Sequence, residues 1–160
     1  MIKYFVLLPE ALIVALAVFV MVAGRFAWLP RRWRSFVPHA AVVVVLVALG
    51  VELWAGAATN SYFGGALLLD RFSLFVKAAV LVTAAVVIAS TDWVSEDSAN
   101  LGVAMPLLAA FGVMVAASAG DLVGLWAGLE LTAVSGVVLV SLRRPDLGLR
   151  LLVAGGIASA

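Results

Sequence analysis

Long uninterrupted apolar runs, separated by short polar stretches, dominate this chain. The clearest run is Leu122 to Leu142 (LVGLWAGLELTAVSGVVLVSL), in which Glu130 is the one ionisable residue. A helix needs about 20 apolar residues to cross a hydrocarbon core of roughly 30 Å. On that measure the pattern predicts an all-α, polytopic transmembrane helix bundle with spans at 4–23, 38–57, 66–90, 102–118 and 122–142, and the beginning of a sixth at 147–160. No repeat, low-complexity tract or linker divides the chain, so residues 1–160 are expected to form a single transmembrane domain. The sixth run (LRLLVAGGIASA) is still apolar at Ala160. That fits a fragment of a longer subunit, with a short protein as the alternative. Lys3 ahead of the first run imitates a signal peptide, but Pro9-Glu10 interrupts the run, and it reads as a retained helix.

Composition agrees with the pattern. Hydrophobic residues make up 66% of the chain and charged residues only 12%, with a mean hydropathy of +1.22. Soluble domains carry about 25% charged residues, so this is read as an integral membrane protein with the lipid bilayer as its surroundings. A net charge of +1 offers no basic surface for nucleic acid. Without cysteine the chain can hold no thiolate-ligated iron–sulfur cluster, and its single histidine, His39, builds neither a haem pair nor a zinc site. No cofactor is expected in this chain, and any redox chemistry belongs to other subunits.

The basic residues set an orientation. The first loop carries Arg25, Arg31, Arg32 and Arg34 and the fifth carries Arg143 and Arg144, whereas Thr59 to Gly65 has no Lys or Arg. Basic loops stay cytoplasmic, so the N-terminus is predicted outside. Trp28, Trp33, Trp54 and Trp93 fall at predicted helix ends, where they read as interfacial anchors.

Charges within the runs are the candidate chemistry. Glu130 lies nine residues beyond Asp121, about 13 Å along a helix, near the midplane. An ionised carboxylate there costs on the order of 2.5 kcal/mol or more, which points to a proton relay or transport site, against a satisfied Glu bonding a neighbouring helix. Lys77, roughly 10 Å inside the third span, either pairs with Glu52 or Glu130 across helices or snorkels to the interface. Arg150 enters the sixth span near the cytoplasmic side; it snorkels or tunes a relay, because a guanidinium holds its proton at physiological pH. Glu10, beside Pro9, reads as a local helix-start residue. His39 reads as interfacial and Pro106 as a kink. Gly120, Gly124 and Gly128 form a small-residue stripe that permits close helix approach. Glu130, about 200° round the helix from Gly128, faces away from that stripe, which suggests a central, surrounded fifth span.

The opening LLPEALIVALAVFVMVAG, then DRFSLFVKAAVLVTAAVVIAS, ASAGDLVGLWAGLEL and RLLVAGGIASA resemble, in order, the N-terminal third of subunit N of bacterial NADH-quinone oxidoreductase (respiratory complex I), within the antiporter-like membrane subunits. The resemblance runs the length of the chain. It implies a fourteen-helix proton-translocating subunit without cofactors, embedded among other membrane-arm subunits in a bacterial plasma membrane, with quinone and NADH handled elsewhere. It also implies that Glu130 is the span-five glutamate of a proton half-channel, paired with a span-seven lysine beyond Ala160 and driven by charge shifts along the arm. Two departures stand out. Arg150-Leu151 replaces a frequent Lys-Tyr pair, and Gly120 replaces a polar residue of an SANDL element. The alternatives are a subunit of a multi-subunit cation/proton antiporter, a non-catalytic structural membrane subunit, and a small homo-oligomeric exporter.

Overall fold

The computed structural model describes residues 7–25, 36–55, 60–90 and 98–158. Arg31, Arg32, Arg34, Trp28, Trp33 and Trp93, on which part of the orientation and anchoring reading rests, lie outside the described residues, as do the first residues of the predicted first span. The order of elements is α1 (Leu8–Arg25), α2 (Val37–Ala55), β1 (Asn60–Tyr62), a 3-10 turn (Phe63–Gly65), β2 (Leu67–Leu69), α3 (Arg71–Ala89), α4 (Ala99–Ser118), α5 (Leu122–Arg143) and α6 (Pro145–Ala158). The fold is an all-α bundle with one small hairpin. Four helices, α2 to α5, are long and apolar enough to cross a membrane, and α1 contributes a shorter apolar stretch, Leu8–Gly24. Large apolar side chains such as Phe72, Phe75, Trp126 and Val86 stand exposed on the outside. On a soluble protein such a surface would be an aggregation liability; it agrees with a polytopic membrane bundle.

The centre of the bundle is α4, which packs against α1, α3 and α5 and touches α2. This corrects the expectation that the fifth span is central. Small residues all round α4 account for it: Gly102, Ala104, Ala110, Gly112 and Ser118 are all buried, so neighbouring backbones approach on several sides at once. In α5 only Gly128 and Ser135 are buried. The core is completed by stripes in heptad-like phase: Ile13, Ala17 and Val20 on α1, Ala41, Val45 and Ala48 on α2, and Leu81, Ala85 and Ile88 on α3.

The predicted third span, 66–90, starts too early. Leu67–Leu69 is a strand paired antiparallel with Asn60–Tyr62, closed by a turn in which Phe63, Gly64 and Gly65 all have positive φ (55°, 71° and 99°). Two glycines make that turn accessible, since it needs left-handed backbone that β-carbons oppose. The helix begins after Asp70, whose carboxylate accepts from the Ser73 N–H at 2.7 Å while Ser73 Oγ accepts from the Asp70 N–H at 3.0 Å, a reciprocal capping box. The hairpin also reaches the α4–α5 turn: the Gly120 N–H donates to the Ala66 carbonyl at 2.9 Å, and Leu67 bridges Ala119. A β-carbon at Gly120 would run into the Gly65 carbonyl. The contact therefore requires a residue without a β-carbon at position 120.

The Ser73 N–H, supported by the Ser73 hydroxyl, holds the Asp70 carboxyl below the usual aspartate range. A folded-state value below the unfolded one means the cap contributes at neutral pH and is lost as pH falls through and below about 3.9. Amide exchange over the first turn of α3 is therefore expected to accelerate on acidification, and Asp70→Asn is expected to remove that pH dependence while retaining a capping oxygen.

Candidate functional site

Three charged side chains converge inside the bundle. Lys77, fully buried on α3, donates from Nζ to Glu10 Oε1 of α1 at 2.5 Å and lies 3.4 Å from Glu52 Oε1 of α2. Glu10 is 5% exposed and Glu52 3%. The antiparallel order of α1, α2 and α3 explains the meeting. Glu10 is in the first turn of α1, Glu52 in the last turn of α2, and Lys77 in the second turn of α3, so all three occupy the hairpin end of the bundle. Each also continues the buried stripe of its helix: Glu10 with Ile13 and Ala17, Glu52 with Ala48 and Val45, Lys77 with Ser73 and Leu81.

Lys77 therefore contacts Glu52, one of its two expected partners, and does not contact Glu130. Glu10 corrects the sequence reading: its side chain does not serve its own helix start but is the nearest counter-ion of a lysine 67 residues away. Its second oxygen, Oε2, is buried with no hydrogen-bond partner among the described residues. One signal for Glu10 was present in the sequence. It lies seven residues before Ala17, hence on the same face as a small residue that permits close packing.

Glu130 is half-buried on α5 and makes no hydrogen bond or ion pair among the described residues. The face of α5 turned to α4 is formed by Gly128, Thr132 and Ser135, with Thr132 Oγ1 donating to the Gly128 carbonyl at 2.8 Å and to the Ala109 carbonyl of α4 at 3.3 Å. A β-carbon at Gly128 would sit 2.6 Å from the Gly112 carbonyl oxygen, so here the small-residue stripe does mark a close crossing. Arg150 is exposed on α6, and His39 is exposed in the first turn of α2. Among the described residues no group of three or more His, Cys, Asp or Glu is arranged to hold a metal ion.

Apolar helices of spanning length, an exposed apolar surface and a buried acid–base cluster define a multi-pass helical membrane protein. No family model matches the chain, but individual relatives do. It is 32% identical over 166 residues to NADH-quinone oxidoreductase subunit N of Rhodobacter capsulatus, covering 98% of this chain and 34% of that protein. It is 33% identical to subunit N of Azorhizobium caulinodans (95% of this chain, 33% of that protein) and 28% identical to that of Bacillus anthracis (99% and 33%). By sequence the chain belongs to the NADH-quinone oxidoreductase subunit N family, and it spans about a third of the length of the curated relatives it matches.

Proposed function

We propose that this chain is part of the membrane arm of a proton-translocating NADH-quinone oxidoreductase in a bacterial plasma membrane, with its basic loops cytoplasmic and Glu130 as the protonatable group of a half-channel. The observation that carries the reading is the similarity to subunit N along almost the whole chain. The other subunits of that complex are its partners and hold NADH, quinone and every redox centre; this chain handles protons. Two features support the role of Glu130. It is placed mid-helix, where an ionisable side chain is costly and by default marks a functional site, and its carboxyl is bound to no other side chain among the described residues.

The test is Glu130→Gln in the assembled complex. Glutamine preserves shape and hydrogen-bonding capacity but carries no exchangeable acid proton. Assembly is expected to be unchanged, while the rate of proton translocation falls at least about tenfold, a barrier increment of about 1.4 kcal/mol. Normal pumping in this variant would overturn the half-channel role and favour a structural subunit. Proton movement that depends on sodium and ignores quinone would instead fit the antiporter reading.

A further inference from the structure

The Glu10–Lys77–Glu52 cluster does not balance electrically. Two carboxylates and one ammonium leave a net charge of −1 inside a region where each unpaired charge is costly. The elements around it offer no compensation among the described residues. Helix α4, packed against α1 and α3, has no ionisable side chain at all; α1 otherwise carries only Arg25, at its far end. On α2 the other titratable group is His39, thirteen residues from Glu52, and on α3 it is Arg71, exposed and six residues before Lys77. The hairpin end adds Tyr62 and the capped Asp70.

From this geometry we propose that the cluster is a proton-binding site, distinct from Glu130, which holds one exchangeable proton on Glu52 while Glu10 remains the ionised counter-ion of Lys77. Distances assign the two roles. The Lys77–Glu10 contact at 2.5 Å is a charge-assisted hydrogen bond, whereas Glu52 at 3.4 Å is beyond the range of a strong one. The unpartnered Glu10 Oε2 offers an acceptor to which a transferred proton can move, so Glu10 and Glu52 exchange the roles of acid and base around a fixed ammonium. The transfer breaks the O–H bond at Glu52 and forms one at Glu10 Oε2, leaving Glu52 as the carboxylate beside Lys77, and the proton enters and leaves by the hairpin end, where all three side chains lie.

Infrared difference spectroscopy of the full-length protein in its native membrane tests this through the carbonyl stretch of a protonated carboxyl, which is separate from carboxylate bands. The wild type minus Glu52→Gln difference is expected to show one protonated carboxyl that shifts in D2O. Glu10→Gln is expected to abolish the same band, because Glu52 then becomes the sole counter-ion of Lys77. Lys77→Met is expected to double it, since neither carboxyl retains a cation. If the wild-type and Glu52→Gln spectra are identical in this region, the site holds no proton and the proposal fails. A band that does not shift in D2O would make Glu52 a sealed acid and overturn the exchange role. Because the readout does not involve Glu130 or pumping, its failure is distinguishable from failure of the half-channel reading.

Discussion

Lys77→Met is expected to destabilise the bundle by about 3–5 kcal/mol, the usual consequence of removing one partner from a buried ion pair. The lysine is fully enclosed, and both of its acidic partners come from other helices, so its loss leaves Glu10 without its counter-ion and forces it to take up a proton inside the bundle. Met has nearly the volume of the lysine stem, so the loss reports charge rather than a cavity. Combining Lys77→Met with Glu10→Met and Glu52→Met is expected to recover most of the stability, because well-packed apolar replacements of buried ion pairs are neutral or stabilising. Thermal unfolding in a mild detergent measures both. A single Lys77→Met protein that melts with the wild type would show that the carboxylates do not depend on the ammonium.

Gly128→Ala is expected to be the second large effect. Its β-carbon would lie 2.6 Å from the Gly112 carbonyl oxygen, 2.7 Å from the Ala116 nitrogen and 2.9 Å from the Ala116 β-carbon. Two of these are backbone atoms that no rotamer change can move aside, so α4 and α5 must separate. Overpacking of this kind costs about 1–3 kcal/mol, whereas alanine's better helix propensity returns up to about 1 kcal/mol. Contact cost therefore wins. Gly136 on the same helix supplies the control: a β-carbon there meets no described atom within 4 Å, so Gly136→Ala is expected to be neutral or slightly stabilising. Comparable melting of the two variants would mean that the α4–α5 crossing yields more readily than its backbone contacts imply.

Helix positions were legible because a membrane helix must be long and apolar throughout: 122–142 matches Leu122–Arg143 closely, and 38–57 matches Val37–Ala55 within two residues at either end. The hairpin was not, because Leu67–Leu69 is as apolar as a helix start, and only the glycine pair and the Asp70 cap distinguish it. The site was half legible. Glu52 and Lys77 were recognisable as charges at one depth on adjacent antiparallel helices. Glu10 was misplaced because a carboxylate in a first helical turn has an adequate local explanation, and its one facial cue, Ala17, is matched by Ala11 and Ala15 on other faces of the helix. The same uniformity concealed α4 as the centre: its small residues lie on every side, so periodicity singles out no face.

The bareness of α4 has an electrical meaning. This helix stands between the α1–α3 side, which carries Lys77 and its two acids, and α5, which carries Glu130, and it brings no ionisable side chain; its polar side chains, Asn100 and Ser118, sit at its two ends. Across two helix-packing distances of about 8–10 Å each, a unit charge acts with about 1 kcal/mol at an effective dielectric constant of about 20. Helix α4 is thus less a wall than a capacitor gap, through which a change of charge on one side would be felt as voltage on the other.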